Sequence, residues 1–416
     1  MKETAIKTLE SCRQNRSRAW IELNMDALRH NVEYLQSLLP GRCALMPVVK
    51  ANAYGHGAGL IAKELSALGI RSFCVACVSE GMELRRQNIA GEILVLGYTH
   101  PDQFPLLDQY TLTPTAVDHA HALALSSYAC CTSRQKLLSS QMPGNRDAWS
   151  APPLPVHVAI DTGMHRLGEP AGHETQIQEI FTLPGLQITG MYTHLASAGG
   201  TDPASQNFTR EQIDTFYRLA AKLKKDIPPY AKLHLQASYG ILRYPLQNVD
   251  YARPGIALYG LLSNAADTRD FSDRLRPVLS LRARVASVHL LSPGESAGYD
   301  MAYTATRPTT VATITIGYAD GLPRSLSRPP AAQGLQQDRG CVLLHGQRAP
   351  IVGRICMDQL LADVTALPQI RPGDIATLIG RDGQENISAA NLADTCGTIT
   401  NELLSCLGPR LERLVL

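Results

Sequence analysis

Apolar residues cluster in short, nearly continuous runs along the first two thirds of the chain, and between the runs their spacing changes to three and four. The runs are PVVKANA (47–53), SFCVACV (72–78), EILVLG (92–97), LTPTAV (112–117), PVHVAID (155–161), QITGMYTH (187–194), KLHLQAS (232–238) and DYARPG (250–255). Each has the length of a strand, and a run without polar alternation is what a strand covered on both faces requires. The intervals hold amphipathic stretches such as GAGLIAKELSALGI (57–70) and TREQIDTFYRLAAKLKK (209–225). Eight strand–helix units in roughly 230 residues predict an α/β fold, a closed parallel (β/α)8 barrel of the TIM type. A doubly wound open sheet is the competitor, but no GxGxxG follows the first run.

After Phe271 the rhythm changes. VLSLRARVASVHLL, TTVATITIG, CVLLHG, APIVGRICMDQLLADVT and DIATLIG follow one another across Pro/Gly turns with one late helical stretch. This predicts a mostly antiparallel β domain. The expected organisation is an N-terminal extension (1–17), a barrel domain (18–270) and a C-terminal β domain (271–416), with AWIELN (19–24) a candidate partner of the β domain. Residues 132–155, polar and proline-rich, read as a surface insertion between strands four and five.

Composition narrows the function. With 39 basic and 37 acidic side chains the net charge is +2, which gives no broad electrostatic reason to bind nucleic acid or an anionic membrane. An apolar fraction of 44% is too high for a disordered chain. No run approaches the ~18 apolar residues of a membrane span. Met1 to Arg18 mixes charges with no apolar core, so it does not read as a secretory signal. The expectation is a soluble, cytoplasmic enzyme or binding protein. The ten cysteines are scattered through a large chain and read as buried free thiols; Cys74 and Cys77 form a CxxC without the second pair a zinc site needs, so no metal is expected.

In a barrel the C-terminal ends of the strands carry the chemistry. Lys50 closes the first run, where partial desolvation would lower its pKa and permit Schiff-base chemistry; a solvated surface lysine is the alternative. Phosphate sites in such barrels are built after strands seven and eight, here at Ser238 and at Arg253-Pro254-Gly255-Ile256. A lysine with a phosphate cradle suggests pyridoxal phosphate.

PVVKANAYGHG, DTGMHRLG, MYTH, HLQAS, ARPGIALYG, SAGYD, GYADG and GRICMDQ occur in the order and spacing of alanine racemases, which the chain resembles over residues 18–416. Within that family SAGYDMAYTATR and HLQASYGILRYP look most like the catalytic domain of the membrane-bound serine racemases associated with vancomycin resistance. The resemblance implies a pyridoxal 5'-phosphate-dependent isomerase that interconverts L- and D-alanine, L- and D-serine, or both. It further implies a supply of D-amino acids, D-alanine foremost, for peptidoglycan precursors. Lys50 matches the lysine that holds the cofactor and acts as acid and base on one face of the substrate. Tyr299 matches the tyrosine that does so on the other face, delivered by the partner subunit of a homodimer. Inversion needs two such groups, because a proton leaves one face and another enters the opposite one.

The same resemblance gives Tyr54, Ser238, Gly255 and Ile256 as phosphate ligands and Arg253 as the residue facing the pyridine nitrogen. A guanidinium only donates, so that nitrogen would stay unprotonated. His194 and His234 match a network between the tyrosine and this arginine. Arg166 and the backbone N–H of Met357 match binders of the substrate carboxylate, with Asp358 and Tyr318 at the entrance.

Two positions depart from the common family pattern. Ala159 stands where many members carry a carbamylated lysine that braces the arginine, so either another group holds Arg166 or an anion such as chloride fills the gap, and the anion is the expectation. Asn401, in GTITNELL, stands where many have a tyrosine that narrows the pocket. The shorter amide leaves room for a β-substituent and offers both a donor and an acceptor to a hydroxyl, which predicts serine racemisation alongside alanine. The alternatives are a decarboxylase of the same architecture, disfavoured by the MHRLG, Arg253-Pro254-Gly255 and GRICMDQ sequences, and a non-enzymatic PLP-holding barrel. The latter would need Lys50 and the cradle but not Tyr299 or residues 271–416.

Overall fold

The computed structural model describes residues 17–139, 152–245, 249–327 and 340–416. Residues 1–16, and with them nearly all of the expected N-terminal extension, lie outside the described residues, as does half of the insertion read at 132–155. The chain forms two compact units, one comprising Val32–Ala53 and Ala58–Leu258, the other Met1–Asn31, Tyr54–Gly57 and Tyr259–Leu416.

In chain order the strands begin with β1 (Ala19–Leu23), which belongs to the second unit. The barrel unit contributes β2 (Ala44–Leu45), β3 (Ser72–Val75), β4 (Glu92–Val95), β5 (Thr113–Ala116), β6 (Leu154–Asp161), a short β7 (Glu169–Pro170), β8 (Leu186–Tyr192), β9 (Lys232–His234) and β10 (Tyr251–Ala252). The sheet runs β2-β10-β9-β8-β6-β5-β4-β3 with parallel pairings, and β7 lies alongside β6. A parallel bridge between Val48 and Cys74 joins its two ends, with Val49 N–H donating to Cys74 O at 2.9 Å and Cys74 N–H to Pro47 O at 2.8 Å. Seven of the eight expected runs thus contain a stave of a parallel eight-stranded barrel; the first stave, β2, lies just ahead of its run, which supplies the closing bridge at Val48. Their unbroken apolar character follows from burial on both faces, complete along β3 and β5.

Helices cover the outside of this barrel. The one predicted at 209–225 spans Pro203–Lys222, starting earlier because Asp202 caps it through its side chain and Pro203 sits in its first turn. It buries Ile213, Phe216, Leu219 and Ala220 along one stripe, each large side chain contributing about 1.5–3 kcal/mol relative to exposure.

The first run departs from expectation. The chain is extended only to Val49; Ala51, Asn52, Ala53 and Tyr54 then take left-handed φ values of 50°, 53°, 55° and 51°. L-residues pay for that conformation, so it persists only where tertiary contacts fix it. Glu80 accepts the Ala51 N–H and Asn52 accepts the Ala58 N–H, both at 2.7 Å.

The second unit is a mostly antiparallel nine-stranded sheet. After β11 (Leu279–Leu291) come the hairpin strands β12 (Ser296–Ala297) and β13 (Tyr303–Thr304), then β14 (Thr309–Ile314), β15 (Cys341–Leu344) and β16 (Gln347–Val352). β17 (Leu360–Asp363), β18 (Ile375–Asp382), β19 (Glu385–Ile387) and β20 (Glu412–Val415) complete it. The order is β19-β18-β15-β16-β17-β14-β11-β1-β20, with β18 also paired to β11. β1 lies antiparallel to β11 and parallel to β20. Two short helices, Ala389–Thr395 and Thr400–Ser405, replace the single late helical stretch expected.

Nine cysteines are described and all are free, but only Cys43 and Cys74 are buried; Cys77, Cys130, Cys131 and Cys406 are exposed, so the reading of buried thiols fails for most of them. Among the described residues no helix is long and apolar enough to cross a membrane.

Candidate active site

Lys50 sits directly after the extended segment that closes the barrel, half-buried at the C-terminal mouth. Burial, reinforced by the charge of Arg166, lowers its pKa from 10.5, against the opposing pull of Glu80 and Cys74. Lys50 is thus partly withdrawn from solvent.

Arg166 lies on the turn that follows β6. Asp161, the last residue of that strand, accepts the N–H groups of Gly163 at 2.8 Å and His165 at 3.1 Å and pairs with the His165 ring at 3.0 Å. Burial opposes ionisation of Asp161, but these donors prevail and hold its carboxyl below the usual value. Gly168 closes the turn at φ +121°, where an added Cβ would lie 2.5 Å from the Asp161 nitrogen. The Arg166 guanidinium is exposed, and among the described residues no carboxylate pairs with it. Ala159, on β6 opposite Tyr192, is 3% exposed.

Inside the barrel, Arg253 is 2% exposed. Its Nη2 donates to Thr193 O at 2.8 Å, its Nη1 donates to His234 Nδ1, and its guanidinium lies 4.8 Å from the centre of the Tyr192 ring. Burial lowers its pKa from the ordinary value, yet a guanidinium remains charged. His194 is pushed down to about 3, first by enclosure, then by Arg253, Arg166 and Lys50. His234 is lowered well below 6.5 by burial, then by Arg253 and His157. Glu80 acts on Lys50, but among the described residues no carboxylate forms an ion pair with Lys50, Arg166 or Arg253, an arrangement suited to anionic groups.

Ser238 is buried and opens the short helix Ser238–Arg243, instead of ending strand seven as expected. Its hydroxyl accepts the N–H groups of Gly255 at 3.0 Å and Ala257 at 3.1 Å, so the segments after β9 and β10 are tied into one cradle that includes Ile256.

The other residues belong to the second unit. Tyr54 packs its ring 5.3 Å from that of Tyr259. Tyr299, 64% exposed, sits at the tip of the β12–β13 hairpin, where Asp300 and Met301 take φ of 58° and 52° and Asp300 pairs with Arg354 at 3.2 Å. The turn carrying Tyr318 and the loop carrying Met357 and Asp358 adjoin: Tyr318 N–H donates to Cys356 O at 3.1 Å and Ala319 N–H to Met357 O at 2.9 Å. Buried Asp320 underlies both, held by Arg18 and Arg410, while Arg410 also reaches Asp358 at 2.6 Å. Asn401 is half-buried near the start of Thr400–Ser405, and its Oδ1 is buried without a hydrogen-bond partner.

The sequence reading passed over two groups. Glu92 and His157 form a buried polar line with His234, and Arg18 with Asp320 braces the Tyr318 turn. The signal for His157 was present: in PVHVAID it alternates with Ala159, so both face the same side of β6.

Residues 23–263 match the family model described as alanine racemase, N-terminal domain, and residues 278–415 the one described as alanine racemase, C-terminal domain. The chain belongs to the alanine racemase family. An alanine racemase of Carboxydothermus hydrogenoformans is 36% identical over 395 residues, covering 95% of this chain and 98% of the relative. A serine/alanine racemase of Enterococcus gallinarum is 38% identical over 395 residues, and there the chain spans only 51% of the relative's length. Among solved structures, the alanine racemase of Clostridium difficile 630 superposes with a TM-score of 0.83 at 31% identity over 96% of each chain. That of Bartonella henselae, with covalently bound pyridoxal phosphate, gives 0.77 at 28% identity over 96% of this chain and all of the other.

Proposed function

We propose that the chain is a pyridoxal-phosphate-dependent racemase acting on alanine and serine by a two-base mechanism, as a homodimer in the cytoplasm. It would thereby supply D-amino acids for cell-wall precursors. The observation that carries this reading is a half-buried Lys50, its pKa lowered by burial and by Arg166, at the barrel mouth with a buried Arg253 that pairs with no carboxylate among the described residues. These residues fit the cofactor: a cationic mouth suits a phosphate and a substrate carboxylate, and the Ser238 hydroxyl, which accepts the N–H groups of Gly255 and Ala257, keeps its own proton for the phosphate.

When bound, the cofactor would withdraw electrons from the substrate Cα and acidify its proton. Lys50, whose lowered pKa makes the neutral amine accessible, takes or gives that proton at Nζ on one face. Tyr299 of the partner subunit does the same at its phenol oxygen on the other; its exposure at a hairpin tip leaves it available across a dimer. Arg253 can only donate to the ring nitrogen, so it cannot leave a proton there. Tyr54, the Ser238 hydroxyl and the N–H groups of Gly255 and Ile256 would hold the phosphate, the Gly255 N–H turning from Ser238 to do so, while His194 and His234 stand in the network between the tyrosine and Arg253. Arg166 and the Met357 N–H fix the substrate carboxylate, with Tyr318 and Asp358 at the entrance; an anion beside Ala159 braces Arg166. The unpartnered Asn401 Oδ1 is an acceptor for a serine hydroxyl, which alanine leaves unsatisfied.

The test is incubation of the purified, cofactor-loaded protein with L-alanine and with L-serine, followed by D/L analysis and by amine analysis for decarboxylation. D-products from both support the proposal. A cofactor absorbance without D-product overturns it in favour of a binding barrel, and an amine product overturns it in favour of a decarboxylase.

A further inference from the structure

We propose that Glu92 and His157 are positioning residues that lock the His234 ring and so aim the buried Arg253 guanidinium. The line of contacts is on the inside of the barrel. Arg253 Nη1 donates to His234 Nδ1, His234 Nε2 lies 2.9 Å from His157 Nδ1, and His157 Nε2 lies 3.0 Å from a Glu92 carboxylate oxygen. His234 comes from β9, His157 from β6 and Glu92 from β4; no two of these strands are neighbours in the sheet, so the side chains meet across the lumen. His157 and His234 are both 0% exposed.

The two ends of the line are one-way groups. A guanidinium has only donors, and an ionised carboxylate has only acceptors. Arg253 therefore requires a bare Nδ1 on His234, which puts the His234 proton on Nε2. That proton needs a bare Nδ1 on His157, which puts the His157 proton on Nε2, facing Glu92. One protonation pattern satisfies the line, and its reverse would set two N–H groups against each other at Arg253. The neutral state this demands of His234 agrees with its burial beside a cation. Burial would raise the Glu92 carboxyl, but His157, Tyr251 and Ser72 outweigh it and hold it ionised. The Glu92 end is the weaker link, because the His157 N–H is not directed squarely at the oxygen.

Without Glu92 and His157 the His234 N–H would be buried and unsatisfied, and the ring could turn over to relieve it. Turning over removes the acceptor that Arg253 uses. His157 and Glu92 touch neither substrate nor cofactor in this account; they act through Arg253, whose role toward the cofactor rests on the function proposed above.

The pattern is read directly by two-bond 1H–15N correlation spectra of 15N-histidine-labelled full-length protein. The expected wild-type result is an Nε2–H tautomer for both His157 and His234. H157Q, whose amide oxygen can accept from His234 while its nitrogen donates to Glu92, should keep the His234 tautomer and hold kcat/KM within about threefold. H157L should give His234 a mixed signature and lower kcat about tenfold with KM little changed, in line with other lost supporting contacts. E92Q and E92L repeat the contrast from the other end and serve if H157L fails to fold. An Nδ1–H on wild-type His234, or Leu and Gln variants that behave alike, overturns the proposal. A wild-type protein that forms no D-product sinks the racemase reading alone, since the tautomer measurement needs no turnover.

Discussion

The hydroxyl of Ser238 accepts the backbone N–H of Gly255 at 3.0 Å. One side chain at the start of a helix thereby sets the geometry of a turn seventeen residues later in sequence, and also holds the N–H of Ala257 at 3.1 Å. Ser238→Ala should loosen cofactor binding about 10- to 100-fold, the size expected for losing a hydrogen bond to a charged group and its ordered donors. Cofactor titration followed by visible absorbance measures it, and an unchanged affinity would remove Ser238 from the phosphate site.

Lys50 and Tyr299 should each be indispensable. Lys50→Ala and Tyr299→Phe are expected to lower racemisation by about 10²–10⁴-fold, the usual range for a positioned acid–base group. If the two act across subunits, mixing these inactive variants under conditions of subunit exchange should restore activity, because some hybrid sites receive both groups. Recovery of nothing above the separate variants would place both residues in the same chain's site.

The rising limb of kcat with pH, which reports the substrate complex in which the Lys50 amine is free, should fall below the ordinary lysine value of 10.5, since burial and Arg166 both favour neutral Lys50. Glu80 opposes that shift. Glu80→Gln is therefore expected to move the limb to lower pH, while keeping an acceptor for the Ala51 N–H. A limb that moves upward would contradict this account of the Lys50 environment.

Asn401→Tyr should lower the ratio of serine to alanine kcat/KM, by about tenfold, through loss of both space and the unpartnered acceptor. Steady-state kinetics with both amino acids decides it. A ratio that stays level would take Asn401 out of the specificity pocket.

Stability should fall on acidification, ahead of general acid unfolding. His194 binds a proton at about 3 when folded against 6.5 when free, so the unfolded chain takes up the proton first. The contribution is fully present above pH 6.5, and it is lost progressively as the pH falls toward about 3. His234 acts in the same direction. Urea unfolding of the cofactor-free protein at a series of pH values measures the slope, and His194→Gln should flatten it.

The barrel was legible because strands buried on both faces are largely apolar, and eight such runs separated by amphipathic stretches leave few architectures. The left-handed turn after Lys50 was not legible. Ala51 and Ala53 look like strand continuation, and what bends the chain is a carboxylate from Glu80 together with Asn52 reaching Ala58. The late helical stretch divided for a similar reason: Thr400 is fixed by its N–H donating to Ser263 O at 2.9 Å, a contact no local pattern announces. Composition could offer Lys50 as solvated or desolvated, and only the half-buried position beside Arg166 separates the two. The line from Glu92 to Arg253 was only half legible: His234 and Arg253 stood out, whereas Glu92 and His157 come from two other strands, β4 and β6, and only the closed barrel brings the four together.

The pairing of β1 with both β11 and β20 ties the earliest described strand to the last, Trp20 standing opposite Arg282 on one side and Glu412 on the other. A ribosome delivers these partners long after the strand itself has emerged, and the barrel segments are made in between. Native contacts of such wide sequence separation slow folding. The β unit must therefore wait with an apolar strand unpaired, and the interval before β20 arrives is when this chain is most open to misassociation or to protection by a chaperone.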